Sequence, residues 1–166
     1  MADDGSSSFQ ELVATLDYPM FVVTAAAGGR RAGCLVGFAT QASLEPARLL
    51  VCLSQANFTH GVAAEASAVA VHLLGADQRE LAALFGEQTG DEVDKFARCP
   101  WHYDPTGPPV LEDCRAAFVA TIVDRLPLGD HTGFLLEPLR TVISPPLGQS
   151  WLSFQSVTDL SPGHPA

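Results

Sequence analysis

Five short groups of residues along this chain have the chemistry to hold a ligand. Phe38-Ala39-Thr40-Gln41, with Ser43, sits where a strand-like run ends. Backbone N–H groups and short hydroxyls there suit an anionic or heteroaromatic ligand, and Phe38 or Leu44 could wall its faces. A polar β-turn ended by Pro46 accounts for the same residues without a ligand. Ser54-Gln55-Ala56-Asn57, with Thr59, lies between a second strand-like run and a helical stretch. A helix N-terminus collects unpaired N–H groups and a partial positive charge, which suits phosphate. The hydroxyls of Ser54 and Thr59 and the Asn57 amide add donors. Simple N-capping by Asn57 or Thr59 is the other reading, and the two are compatible.

The remaining groups lie downstream. Phe85-Gly86 closes a helical stretch, and Lys95-Phe96 follows it. Lys95 is the only lysine in the chain, so it is a candidate partner for an anion. Asp91, Glu92 and Asp94 crowd it, and a local ion pair is the alternative. Gly129-Asp130-His131 falls between two long strand-like runs, where a Gly-Asp turn is ordinary hairpin chemistry. The histidine after it is less ordinary, because imidazole can donate, accept or carry charge near neutral pH. His72, inside the apolar run VAVHLL, reads as structural. His60, His102 and His164 are left unassigned.

Elements that would position these groups can be read from periodicity and turn residues. Ser8-Phe9-Gln10-Glu11 has the form of a capping box, followed by Phe9, Leu12, Val13 and Leu16 at helical spacing. Met20–Ala25 is a first strand, Ala26-Gly28-Gly29-Arg30 a hairpin turn, Arg31–Ala39 a second strand and Arg48–Ser54 a third. Thr59–Ala66 is expected to be helical, and Val69–Leu74 returns to strand. Asp77 is placed to cap a helix carrying Leu81, Leu84 and Phe85 on one face. Gly86–Pro109 reads as an irregular excursion. Arg115–Arg125 and Thr132–Val142 form a long hairpin, and Ser150–Phe154 a last short strand. The pattern predicts a mainly β domain over residues 1–160 with short helices and an antiparallel barrel, and a disordered tail over residues 161–166.

Composition narrows the function. The chain has 166 residues, 47% of them hydrophobic, enough for one domain with a full core. Its formal charge is −10, with nine Lys plus Arg and no basic cluster, which argues against nucleic acid. Charges interrupt the longest apolar stretch, Val110–Leu126, so no membrane span is expected. MADDGSSS lacks the features of a signal peptide, and a cytoplasmic location is expected. Cys34, Cys52, Cys99 and Cys114 form no CxxC pair, so zinc or a redox dithiol is not expected. Cys34 and Cys52 read as small buried hydrophobes. Dinucleotide-binding glycine motifs, P-loops and hydrolase elbows are absent.

The order of these pieces is itself informative: a first strand PMFVVTA, a small-polar turn with Ser and Pro, a second strand ending in Ser-x-x-Asn-x-Thr, then a late GDH. Over roughly Tyr18–Val142 the chain resembles the flavin reductase-like family, whose members bind flavin mononucleotide (FMN) in a split β-barrel. The resemblance implies an NAD(P)H:flavin oxidoreductase using NADH or NADPH, with FAD as an alternative flavin. It also implies a homodimer and, as a further partner, a flavin-dependent monooxygenase receiving reduced flavin. Backbone groups near Thr40–Ser43 would face the ring, Ser54–Thr59 and Lys95 the phosphate, and Phe85 and Phe96 would complete the flavin site. His131 would be catalytic, positioning the nicotinamide or steadying charge on the ring. The chain departs from the family pattern in carrying Pro46-Ala47 where two prolines are common, and His60 where an aromatic is common. Rival readings are an enzyme that keeps FMN bound and acts on another substrate, and an electron carrier without NAD(P)H turnover.

Overall fold

A computed structural model describes residues 5–163. Three helices, α1 (Ser6–Val13), α2 (Phe58–Glu65) and α3 (Arg79–Glu87), accompany nine strands. Seven strands make one antiparallel sheet in the order β2-β1-β5-β8-β9-β4-β3: β1 (Phe21–Ala27), β2 (Arg30–Val36), β3 (Ala39–Ser43), β4 (Arg48–Ser54), β5 (Ala68–Leu73), β8 (Ala116–Pro127) and β9 (His131–Ile143). A separate hairpin pairs β6 (Trp101–Tyr103) with β7 (Pro109–Leu111).

The expected mainly β, antiparallel fold is present, but its hydrogen-bond ladder stays open. β2 and β3 are the two edges of the sheet, yet only Gly37 and Phe38 separate them in sequence. Two residues span at most about 7 Å, so the sheet has to curl until its edges meet. The Cys52 amide donates to the Phe38 carbonyl at that seam. The single strand expected over Arg31–Ala39 is therefore two strands at opposite edges. The turn at Gly37 passes so close to Tyr18 that a Cβ there would lie 2.6 Å from the ring.

Local chemistry explains most of the remaining elements. Gly28 and Gly29 both have positive φ, the geometry of a two-residue β1–β2 hairpin turn. β5 is buried along nearly its whole length at the sheet centre, which suits AVAVHL. Phe134, Leu136, Val51 and Leu53 fill the inside of the curl. Phe85, Phe96, Leu111 and Leu152 form a second cluster beneath α3.

Three local expectations need correction. Ser8 does not cap α1, which starts at Ser6 with Gly5 as its N-cap. Asp77 does not cap α3; its carboxylate pairs with Arg115, and Gln78 takes the N-cap position. Ser150–Phe154 forms no strand but makes isolated bridges, Trp151 to Gly75 and Ser153 to Pro19. Residues 161–163, expected to be disordered, are held against the end of α3. The Ser161 amide donates to Glu87 Oε1 (3.1 Å) and the Gly163 amide to the Gly86 carbonyl (3.3 Å). Residues 164–166 of that expected tail lie outside the described residues.

Candidate functional site

The seam between β2 and β3 opens onto a cleft of about 350 Å³, within the range of small-molecule sites, roughly 300–1,000 Å³. Leu35 to Phe38 form its floor, with Cys52 to Ser54 from β4 alongside. Asn57 and His131 close one flank, and Tyr18, Met20, Phe154, Val157, Leu160 and Pro162 the other.

Two neighbouring concavities extend this cleft. One, of about 430 Å³, shares Asn57 with it and adds Gln55, Ala56 and His60. The other, of about 310 Å³, shares Arg30, Phe58, Asp91 and Glu92 with the second and adds Arg31, Lys95 and Phe96. Through these shared residues the three concavities follow one another past the N-terminus of α2.

Phe38, Ser54, Asn57 and His131, from three stretches of sequence, meet at the cleft. Asn57 is the N-cap of α2, accepting from the Thr59 amide at 2.8 Å. Thr59 is buried beside Cys34 and faces the core. Lys95 and Phe96 line the last of these concavities. Phe85 is a core residue, 1% exposed, while its neighbour Gly86 lines the cleft. Ala39, Thr40, Gln41 and Ser43 line none of these concavities. β3 is an edge strand, and Thr40 and Gln41 point to solvent.

His131 is held by its neighbours. Its Nδ1 lies 2.7 Å from Asp130 Oδ1, and its ring lies 5.1 Å from Phe38. An ionised carboxylate can only accept, so Nδ1 carries the hydrogen and Nε2 is left for a ligand. The same hydrogen bond lowers the Asp130 carboxyl below its ordinary range. The hairpin tip is fixed to β4, since Asp130 O accepts from the Gln55 amide and Gly129 O from the Gln55 side chain. Gln55 thus serves the site by holding the turn that carries His131.

Lys95 makes no ion pair with Asp91, Glu92 or Asp94; Asp94 pairs instead with Arg31 at 2.9 Å. Its ammonium is buried, 4% exposed, and donates to the carbonyls of Gly33 (2.9 Å) and Phe85 (3.2 Å). Burial pushes its pKa down. Among the described residues no carboxylate compensates it, and a third donor remains.

Sequence reasoning missed Tyr18, Met20, Leu35, Gly37, Cys52 and the segment after Phe154. These are apolar or small residues with no periodic signal beyond that of a core. It also left His60 unassigned. His60 Nε2 lies 2.8 Å from Thr132 Oγ1, tying α2 to the residue after His131. Cys34 is an inert thiol, pushed up to about 11 by burial, whereas Cys52 is half-buried at the cleft.

Residues 13–155 match the flavin reductase like domain. The chain belongs to the flavin reductase-like family. It is 30% identical over 131 residues to an FMN reductase (NADH), RutF, of Bradyrhizobium diazoefficiens, covering 79% of this chain and 72% of that protein. The fold matches that of a NADH:FAD oxidoreductase of Streptomyces globisporus with a TM-score of 0.81 at 22% identity, over 93% of this chain and 91% of the other. It also matches nitrilotriacetate monooxygenase component B of Mycobacterium thermoresistibile with a TM-score of 0.79 at 22% identity, over 89% and 81% of the two chains.

Proposed function

We propose that this protein is an NADH-dependent FMN reductase that binds FMN with its ring in the seam cleft and its phosphate towards α2 and Lys95. The observation that carries this reading is the buried Lys95 ammonium with no carboxylate partner, at the last of three successive concavities that begin with an apolar cleft. A buried charge needs a counter-charge or hydrogen bonds to offset its desolvation, and a phosphate supplies both. Membership of the family and the activity named for its Bradyrhizobium relative support the same assignment.

Bound FMN supplies the redox chemistry, taking two electrons from the nicotinamide and passing them on. The chain's own residues bind and orient. Val36, Phe38 and Leu53 cover apolar ring surface, while Ser54 and Asn57 offer polar contacts near the α2 N-terminus. His131, anchored through Nδ1, presents Nε2 for a hydrogen bond to the nicotinamide amide or the ring's polar edge.

Mixing the protein with excess FMN and NADH without oxygen tests this. Catalytic bleaching of flavin absorbance is expected, and no bleaching would overturn the reductase reading. A phosphate role for Lys95 predicts that Lys95→Met weakens FMN about tenfold, the scale of one charged hydrogen bond at roughly 1.5–3 kcal/mol, and riboflavin much less. Fluorescence titration with both flavins separates this from a purely structural lysine, whose loss would weaken the two equally.

The functional unit in this reading is a homodimer in the cytoplasm that passes reduced flavin to a monooxygenase. Phe9, Leu12 and Leu16 on and just after α1 are more than half exposed, as is Leu44 beside β3, and a second copy would cover them. Light scattering with FMN bound should give twice the monomer mass of 17.5 kDa. A monomer at that point would remove the dimer from the proposal.

A further inference from the structure

One flank of the cleft comes from residues beyond the family domain. The domain match ends at residue 155, yet Val157, Leu160 and Pro162 line the cleft. They continue from Phe154, whose ring stacks on Tyr18 at 4.8 Å and 15°, so the wall grows out of a fixed aromatic pair. Val157 is buried in the cluster beneath α3, and Leu160 packs half-buried against the same cluster. Asp159 pairs with Arg79 at 2.5 Å on the surface, and two amides bond to Gly86 and Glu87 at the end of α3.

We propose that Val157–Gly163 is an end wall of the flavin cleft, with Leu160 and Pro162 setting how large a ring system it admits. This rests on the FMN reading above. The orientation follows from polarity. An isoalloxazine has a polar pyrimidine edge and an apolar dimethylbenzene edge. The flank made of Tyr18, Met20, Phe154, Val157, Leu160 and Pro162 offers the pyrimidine edge few partners, and burying it there would leave polar groups unpaired. The dimethylbenzene edge therefore meets Leu160 and Pro162, and the pyrimidine edge lies towards the seam, Ser54 and His131. Substituents on the benzene edge are read by side chains that the rest of the family domain does not contribute.

The test compares FMN with its analogue bearing dimethylamino in place of the 8-methyl group, by fluorescence or absorbance titration. Shortening the wall with Leu160→Ala should improve the ratio of analogue to FMN affinity about tenfold, and filling it with Leu160→Trp should weaken FMN by a similar factor. Circular dichroism confirms that both variants fold. FMN should also slow hydrogen exchange at the Ser161 and Gly163 amides of the unaltered protein. An unmoved ratio in the folded variants with no protection at these amides would overturn the wall while leaving FMN binding intact. Failure of the unaltered protein to bind FMN at all would overturn both.

Discussion

Replacing His131 by alanine is expected to leave folding and FMN affinity almost unchanged while slowing flavin reduction by NADH about a hundredfold. That is the lower end of the range for a lost positioned acid–base group, roughly 10²–10⁴. Folding should survive because the hairpin tip is held by Gln55 through Asp130 O and Gly129 O, without the imidazole. FMN binding should survive because, in the proposed binding mode, the ring lies on the cleft floor and the phosphate towards α2, away from the imidazole. The reaction depends on the imidazole in another way. Asp130 fixes Nδ1, so Nε2 is presented with little freedom, as an acceptor in the neutral ring and as a donor when the ring is protonated, at the place where charge would develop. The measurement is anaerobic single-turnover reduction with saturating FMN. His131→Gln should recover part of the rate if positioning by one hydrogen bond is the main role. Equal rates in the alanine variant and the parent would reduce His131 to a hairpin residue.

Acid should destabilise this protein in good part through one buried imidazole. His72 lies at the centre of β5 with no exposed surface. Its Nδ1 is 2.9 Å from the Val22 carbonyl, so it donates there, and its Nε2 accepts from the Leu111 amide at 2.9 Å. The ring must be neutral to accept at Nε2, and burial pushes its pKa down from 6.5 to about 4. Above pH 6.5 the imidazole is neutral in both folded and unfolded chains, and the stability it supports is fully present. Between pH 6.5 and 4 the unfolded chain takes up a proton that the folded chain refuses, so stability falls as pH falls. The loss is about 3 kcal/mol across that window, using ~1.4 kcal/mol per pH unit, a large share of a typical 5–15 kcal/mol total. Urea unfolding of the parent and His72→Gln at pH 7.5 and pH 4.5 measures it. The variant should start less stable and lose less on acidification, since carboxylate titrations are common to both. Parallel losses in the two proteins would exclude His72 as the source.

Reading the sequence located most of the elements and some of the site, for reasons that differ from residue to residue. β-branched and apolar runs such as FVVTAAA and RLLVCLS announce strands because their alternation is local information. Asn57 was recognisable as a helix cap because capping involves only the next few residues. Gly129-Asp130-His131 stood out because the turn chemistry and the odd histidine are adjacent in the chain. His72 was correctly read as structural from its apolar run alone, although its two backbone partners lie 50 and 39 residues away.

Other features were settled only by the tertiary structure. That β3 forms an edge with Thr40 and Gln41 exposed, while Leu35 to Phe38 line the cleft, follows from how the sheet curls. Asp94 pairs with Arg31 from β2 rather than with the adjacent Lys95. The cleft's apolar flank joins Tyr18 near one end of the chain to Phe154 and Pro162 near the other. Pattern within a window cannot report such a meeting, because packing across the curled sheet, not local propensity, determines which residues share one cavity.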